Sequence, residues 1–186
     1  MNGIVQDEMS FLAELVAGRC MAADIGCFTG ESTVAILDAM HPEGKLIAID
    51  TFQGTSGGPV VEGISCHDQI QDILNRTDRF GGRCSIIIGW CENIAPLIQD
   101  GSLDFVFLDA SHNYSAIRRD IDQWMPKVMS GGILAGHDFE CRASDCDRVT
   151  MLEHCEEDYT ENGGKHYGVI LAVSEAFPDV EFQDRK

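Results

Sequence analysis

Short apolar runs alternate along this chain with segments whose apolar residues recur every three or four positions. A brief apolar run bounded by turn formers reads as a strand covered on both faces. Five such runs lie at 20–25, 46–49, 85–88, 103–108 and 133–135. Between them the helical period takes over. Met9, Leu12, Ala13 and Val16 share one face over 9–17, and Val34, Ile36 and Leu37 give a helix over 32–40. Ile70, Ile73 and Leu74 face inward from a helix over 66–75, and 93–99 is a short helix. Ile117, Ile121 and Trp124 make the clearest helix, over 114–128, with Pro126 in its last turn. A helix over 168–177 and a last strand over 180–182 close the chain. Glycine pairs and polar clusters punctuate it at 41–44, 81–82, 100–102 and 131–132, and 51–64 reads as a loop.

Strands alternating with helices imply βαβ units, so the expected fold class is α/β, a doubly wound and mostly parallel sheet. Residues 1–186 form one expected domain, with no repeat and no internal boundary. In such sheets ligands bind beyond the carboxyl ends of the strands, near the reversal of strand order. The polar residues that end the first, second, fourth and fifth strands are therefore the ones to follow.

Charge and composition narrow the partners. The 186 residues carry a formal net charge of −18, which repels a phosphate backbone, so no nucleic-acid partner is expected. No apolar run is long enough to span a bilayer, and the first residues lack a basic-then-apolar leader. The expectation is a cytoplasmic protein with no membrane partner. None of the eight cysteines forms a Cys-x-x-Cys pair. Cys141, Cys146, His154 and Cys155 do cluster, but not at zinc-finger spacing.

The first strand runs into Asp24-Ile25-Gly26-Cys27-Phe28-Thr29-Gly30-Glu31-Ser32. Glycines belong where a tight turn lets the backbone approach a ligand. The spacing here is Gly-x-x-x-Gly, not the Gly-x-Gly-x-x-Gly of a dinucleotide cradle. That disfavours a nucleotide- or NAD-binding protein. A loop preceded by an acidic residue suits a ligand bearing an ammonium and a sulfonium. Asp50 ends the second strand, where an acidic side chain accepts hydrogen bonds from ribose hydroxyls.

At these residues the sequence resembles the class I S-adenosylmethionine-dependent methyltransferases. The likeness is to the small-molecule O-methyltransferases of the family 24 type, with Asp-x-Gly-x-x-x-Gly-x-Ser followed by Ile49-Asp50-Thr51-Phe52. It continues at Leu103-Asp104-Phe105-Val106-Phe107-Leu108-Asp109-Ala110-Ser111-His112-Asn113-Tyr114 and at Gly131-Gly132-Ile133-Leu134-Ala135-Gly136-His137-Asp138, so it covers roughly 20–177. The resemblance implies S-adenosylmethionine as cofactor, held by Asp24, Gly26, Phe28, Gly30 and Ser32. It sets Asp50 on the ribose with Thr51 and Phe52 beside it, and Trp90, Cys91 and Asp109 around the rest. Relatives finish with a long antiparallel hairpin. Here little follows residue 182, which implies a shortened C-terminal strand region, either a smaller sheet or one completed by a partner such as a second copy in a homodimer.

Methyl transfer is an in-line displacement that needs an aligned nucleophile and a way to remove its proton. Asp109, His137 and Asp138 end the fourth and fifth strands and are the candidate metal ligands, for Mg²⁺ or Mn²⁺ as a second cofactor. His112 and Asp109 are the candidate catalytic pair, since an imidazole ordinarily titrates near neutral pH. Capping the helix that begins at Tyr114 is the alternative role for His112. The Asn-Pro-Pro-Tyr signature of base-amine methyltransferases is absent after the fourth strand. The expected reaction is methylation of a hydroxyl on a small-molecule acceptor, with residues 140–166 as a mobile loop segment facing that acceptor. The shortened C-terminus leaves a cofactor-binding protein without catalysis as the other reading.

Overall fold

The computed structural model describes residues 6–53, 64–158 and 165–182. Its centre is a five-stranded, wholly parallel sheet. The strands are β1 (Met21–Ile25), β2 (Lys45–Asp50), β3 (Cys84–Ile88), β4 (Leu103–Leu108) and β5 (Val128–Gly136), in the order β3-β2-β1-β4-β5. The chain winds outward from β1 to β3, then returns to place β4 on β1's other side. The order therefore reverses between β1 and β4, where a cleft opens beyond the strand ends.

Strand residues alternate between two helical layers because successive side chains leave a strand on opposite faces. Ala22, Phe105 and Phe107 meet α1 (Gln6–Val16) and α2 (Glu31–Ala39) through Leu12, Val16, Ile36 and Leu37. Ala23, Val106 and Leu108 face the other way, onto Ile117, Ile121 and the fully buried Trp124 of α5 (Tyr114–Trp124) and onto Val169 and Ala172 of α7 (Tyr167–Ala176). α3 (Cys66–Thr77) covers Cys27, Ala48 and Phe52 through Ile73. The short α4 (Cys91–Ile94) follows β3, and α6 (Arg148–His154) lies against α7.

Several sequence expectations shift. α3 presents Gln69, Ile73 and Thr77 to the interior, a four-residue stripe, and turns Leu74 outward. α5 stops at Trp124, ahead of Pro126, which lies in the 3-10 turn that follows. The fifth strand is longer than its apolar run because β4 supplies partners from Leu103 onward, across a register irregularity. The segment after β5 holds a 3-10 turn (Ala143–Asp145) and α6 where a loop was expected. Residues 180–182 are not a strand. Arg142 donates to the carbonyls of Pro178 (3.0 Å) and Val180 (3.1 Å), while Phe182 stacks edge-on against Phe139. An arginine thus occupies carbonyls that a neighbouring strand would need. Among the described residues no helix is long and apolar enough to cross a membrane. Most of the expected loop 51–64 lies outside the described residues.

Candidate active site

The turn after β1 follows a path that only glycine takes without strain. Gly26 has φ +89°, and a Cβ there would press into the backbone carbonyl of Asp109 and lie 2.7 Å from Ala110 Cα. Its N–H donates to Ile49 O and the Asp109 N–H donates to Ile25 O, each at 2.8 Å. The ends of β1, β2 and β4 are thereby laced together. Gly30, also at φ +89°, precedes the first turn of α2 and packs against Ile73.

Two residues without glycine's freedom take the same left-handed region, Phe28 (φ 45°) and Phe52 (φ 55°). One carboxylate holds both. Asp50 Oδ2 accepts the Phe28 N–H at 2.8 Å, and Oδ1 accepts the Phe52 N–H at 2.7 Å. Each strained conformation costs about 1–3 kcal/mol. A hydrogen bond to a charged group contributes about 1.5–3 kcal/mol, enough to offset it.

Asp24 and Ser32 lie below this loop. Asp24 is fully buried, and its Oδ2 accepts from Ser32 Oγ (2.9 Å) and Thr33 Oγ1 (2.6 Å). Oδ1 has no partner among the described residues. Burial pushes the Asp24 carboxyl up to about 7, against the opposing pull of the two hydroxyls. The Phe52 side chain is likewise buried, against Cys27, Ala48 and Ile73. Cys91 points at Asp120, its Sγ 3.3 Å from Oδ1. Phe28, Asp50 and Thr51 keep partial exposure at the loop, and Trp90 is exposed beside the end of β3.

Across the reversal point, the ends of β4 and β5 bring Asp109, His112, His137 and Asp138 together. His112 Nε2 lies 3.2 Å from Asp138 Oδ2 and 3.7 Å from Asp109 Oδ1, and its Nδ1 lies 3.2 Å from Asp158 Oδ1. His137 Nδ1 lies 3.0 Å from Asp138 Oδ1 and 4.0 Å from Asp109 Oδ1, and its Nε2 faces Glu8 at 3.4 Å. Asp138 sits at φ 61°, which turns its carboxylate back over this group. The His112 contacts are charge contacts; neither ring nitrogen makes an aligned hydrogen bond among the described residues.

These carboxylates change the expected chemistry of His112. Burial alone would favour the neutral ring, but Asp109, Asp158 and Asp138 outweigh it and push the imidazole up to about 10. His112 therefore carries a proton at neutral pH and is not a free base in this state. His137 rises to about 9 by the same contest, burial against Asp138 and Asp109. Burial pulls Asp138 upward, yet His137, His166 and His112 hold it below the usual carboxylate range. Nor does His112 cap α5. Asn113 does, its side-chain oxygen accepting the Ala116 N–H at 2.9 Å.

Two participants carry no signal in the sequence pattern. His166, just before α7, places Nδ1 3.3 Å from Asp138 Oδ1 and 2.6 Å from Glu140 Oε1. Its ring tilts over His112 with centroids 4.7 Å apart. Both residues lie at the ends of the weakly patterned stretch; Glu140 follows Asp138 by two residues, and the return of α7 to the sheet brings His166 to it. Two donor sets could hold a metal ion: Asp109, His137 and Asp138, and His112, Asp138 and His166, each with its ligand atoms within 4.8 Å of one another.

Residues 23–139 match the model of a family described as a methyltransferase domain. Comparison with curated proteins gives no match. Among solved structures, the O-methyltransferase TomG from Streptomyces achromogenes, involved in tomaymycin synthesis and solved with S-adenosylmethionine, is similar at a TM-score of 0.64 and 17% identity, covering 96% of this chain and 71% of that one. An O-methyltransferase from Bacillus cereus, solved with S-adenosylhomocysteine, is similar at a TM-score of 0.64 and 15% identity, covering 95% and 72%. At these identities the likeness is one of fold.

Proposed function

The chain belongs to the methyltransferase-domain family, and from that premise we propose that it methylates a hydroxyl group of a small molecule. The cofactor is S-adenosylmethionine, which supplies an electrophilic methyl group on a sulfonium centre. The observation that carries the reading is the meeting of Asp109, His112, His137 and Asp138 directly across from the Gly26–Gly30 turn, with Gly26 packed on Asp109 itself. The O-methyltransferases of similar fold support an oxygen acceptor, and the charge of −18 disfavours nucleic acid.

Gly26 and Phe28 line the methionine end of the cofactor, and Asp50 accepts from its ribose with the lone pairs left over from the two backbone bonds. Thr51 and the exposed Trp90 flank the remainder. Asp24, Ser32 and Phe52 act from beneath, by fixing the loop. On the acceptor side, the Asp109 carboxylate takes the hydroxyl proton. His112, protonated and braced by Asp138 and Asp158, orients Asp109 and stabilises the oxygen as its negative charge develops. The donor set of Asp109, His137 and Asp138 also fits a divalent ion, which would polarise the same oxygen.

The test is formation of S-adenosylhomocysteine from S-adenosylmethionine with a panel of phenols, catechols and sugar alcohols, with matched amines as controls. Turnover with a hydroxyl acceptor is expected. Turnover confined to the amines would overturn the oxygen assignment, and failure to bind either sulfur nucleoside by calorimetry would overturn the cofactor site. Loss of activity on chelation, restored by Mg²⁺ or Mn²⁺, separates the metal-assisted route from the metal-free one.

A further inference from the structure

Away from the strand ends, two thiols stand side by side. Cys141 follows β5, the 3-10 turn Ala143–Asp145 reverses the chain, and Cys146 returns with its Sγ 3.4 Å from that of Cys141. Contacts independent of sulfur fix the turn. The Ala143 N–H donates to Ser174 Oγ at 3.1 Å, and Arg142 is tied to the carbonyls of Pro178 and Val180. Met151, Tyr167 and Ile170 back the pair with apolar surface. Lys165 completes the group, its Nζ 3.2 Å from Cys141 Sγ and 3.8 Å from Cys146 Sγ.

The lysine decides between the two uses of such a pair. An ammonium against both sulfurs repels a metal cation, and the other candidate ligands are turned elsewhere. His154 faces Glu157 at 2.8 Å, and the Cys155 thiol faces Leu152 O. The same ammonium stabilises negative charge developing on a sulfur, which is what thiol oxidation requires. We propose that Cys141 and Cys146 are an oxidative modification site, closed to a disulfide by a peroxide. The sulfurs need to move only from 3.4 Å to a bonded distance of about 2.05 Å, within a turn already formed.

The chemistry balances in two steps. The Cys141 thiolate attacks one peroxide oxygen, the O–O bond breaks, and the departing hydroxide takes a proton to become water. Cys141 is then a sulfenic acid. The Cys146 sulfur attacks it, the S–S bond forms, the S–O bond breaks, and the oxygen leaves as a second water with the Cys146 proton. Two electrons pass from the thiols to the peroxide. Lys165 Nζ stands nearer Cys141 Sγ (3.2 Å) than Cys146 Sγ (3.8 Å), so Cys141 is the sulfur that attacks first and Cys146 the one that resolves.

Trypsin reads the result directly, because Arg142 lies between the two cysteines. The full-length folded protein is treated with a small excess of hydrogen peroxide, alkylated, and digested without reductant. Cleavage after Lys127, Arg142 and Arg148 releases 128–142 and 143–148, with one cysteine each. The expected product is the two peptides joined, lighter by two hydrogens than their sum. Cys146→Ser should leave Cys141 as a sulfenic acid that dimedone captures. Two separate alkylated peptides, recovered while the exposed Cys20 and Cys66 are oxidised, would overturn the proposal. So would a wild-type Cys141 that ends as sulfinic acid.

Discussion

At the ends of β1 and β2 the chain is held by fixed hydrogen bonds that tie the backbone down. At the ends of β4 and β5 it holds itself with side-chain charges. The first region spends its polar atoms on fixed partners: Asp50 on two amides, Asp24 on two hydroxyls, and Gly26 on a neighbouring carbonyl and strand. The second gathers three imidazoles and a ring of carboxylates at 2.6–4.0 Å, with both nitrogens of His112 poorly aligned to any of them. A backbone-built pocket is preorganised and accepts one shape. A charge-built pocket can exchange an internal contact for one to a ligand.

If that division holds, the largest effects on rate come from the charged region. Asp109→Asn should lower kcat by about 100- to 10,000-fold, the range for a lost proton-transfer partner, and His112→Ala by about 100- to 1,000-fold, the range for a lost donor to a developing oxyanion. Affinity for S-adenosylhomocysteine should change little. Calorimetry beside a turnover assay checks this, and a matching loss of affinity would erase the distinction. Next comes Gly26→Ala. A left-handed alanine costs about 1–2 kcal/mol and forcing its Cβ into Asp109 about 1–3 more, so cofactor affinity should fall on the order of 100-fold, with a lower Tm.

Asp50→Asn is milder. An amide keeps one acceptor and presents a donor to the other backbone N–H, losing one charge-assisted bond of about 1.5–3 kcal/mol. Affinity for S-adenosylhomocysteine should drop roughly 10- to 100-fold by calorimetry. The last test sharpens the comparison from below the loop, through stability and not through binding or rate. Asp24 has a folded-state value of about 7, above its ordinary 3.8, so the folded protein keeps a proton that the unfolded chain releases. Stability should therefore fall as pH rises from about 4 to 7 and level off above that. Asp24→Asn removes this slope. Thermal melts across the range test it, and a slope unchanged in the variant would mean that other groups produce it.

The strands and most helices were legible because their signals are local. The run 103–108 is a strand in the sequence and in the structure, since six largely apolar residues between turn formers admit little else. The glycine turn and Asp50 were legible because their chemistry is written within a few positions. What failed depended on partners remote in sequence. Leu74 reads as inward until α3 docks on Cys27, Ala48 and Phe52 and takes Ile73 as its buried position. Residues 180–182 read as a strand until Arg142 is found on the carbonyls of Pro178 and Val180. The setting of His112 was not legible either, because the carboxylates of Asp109, Asp158 and Asp138 that raise its imidazole come from three parts of the chain. His166 and Glu140 have no periodic or motif signal, and only the docking of α7 gives them a role.

The packing of Gly26 on Asp109 has a consequence for how the two substrates sense each other. No side chain cushions that contact, so a displacement of the β4 end meets the Gly26 turn directly. If cofactor and acceptor bind on its two sides as proposed, any coupling between them is reciprocal by thermodynamic linkage. Whatever factor the bound cofactor applies to acceptor affinity, the bound acceptor must apply to the cofactor. Under the proposed function, that exchange would run through the backbone that joins the two strand ends.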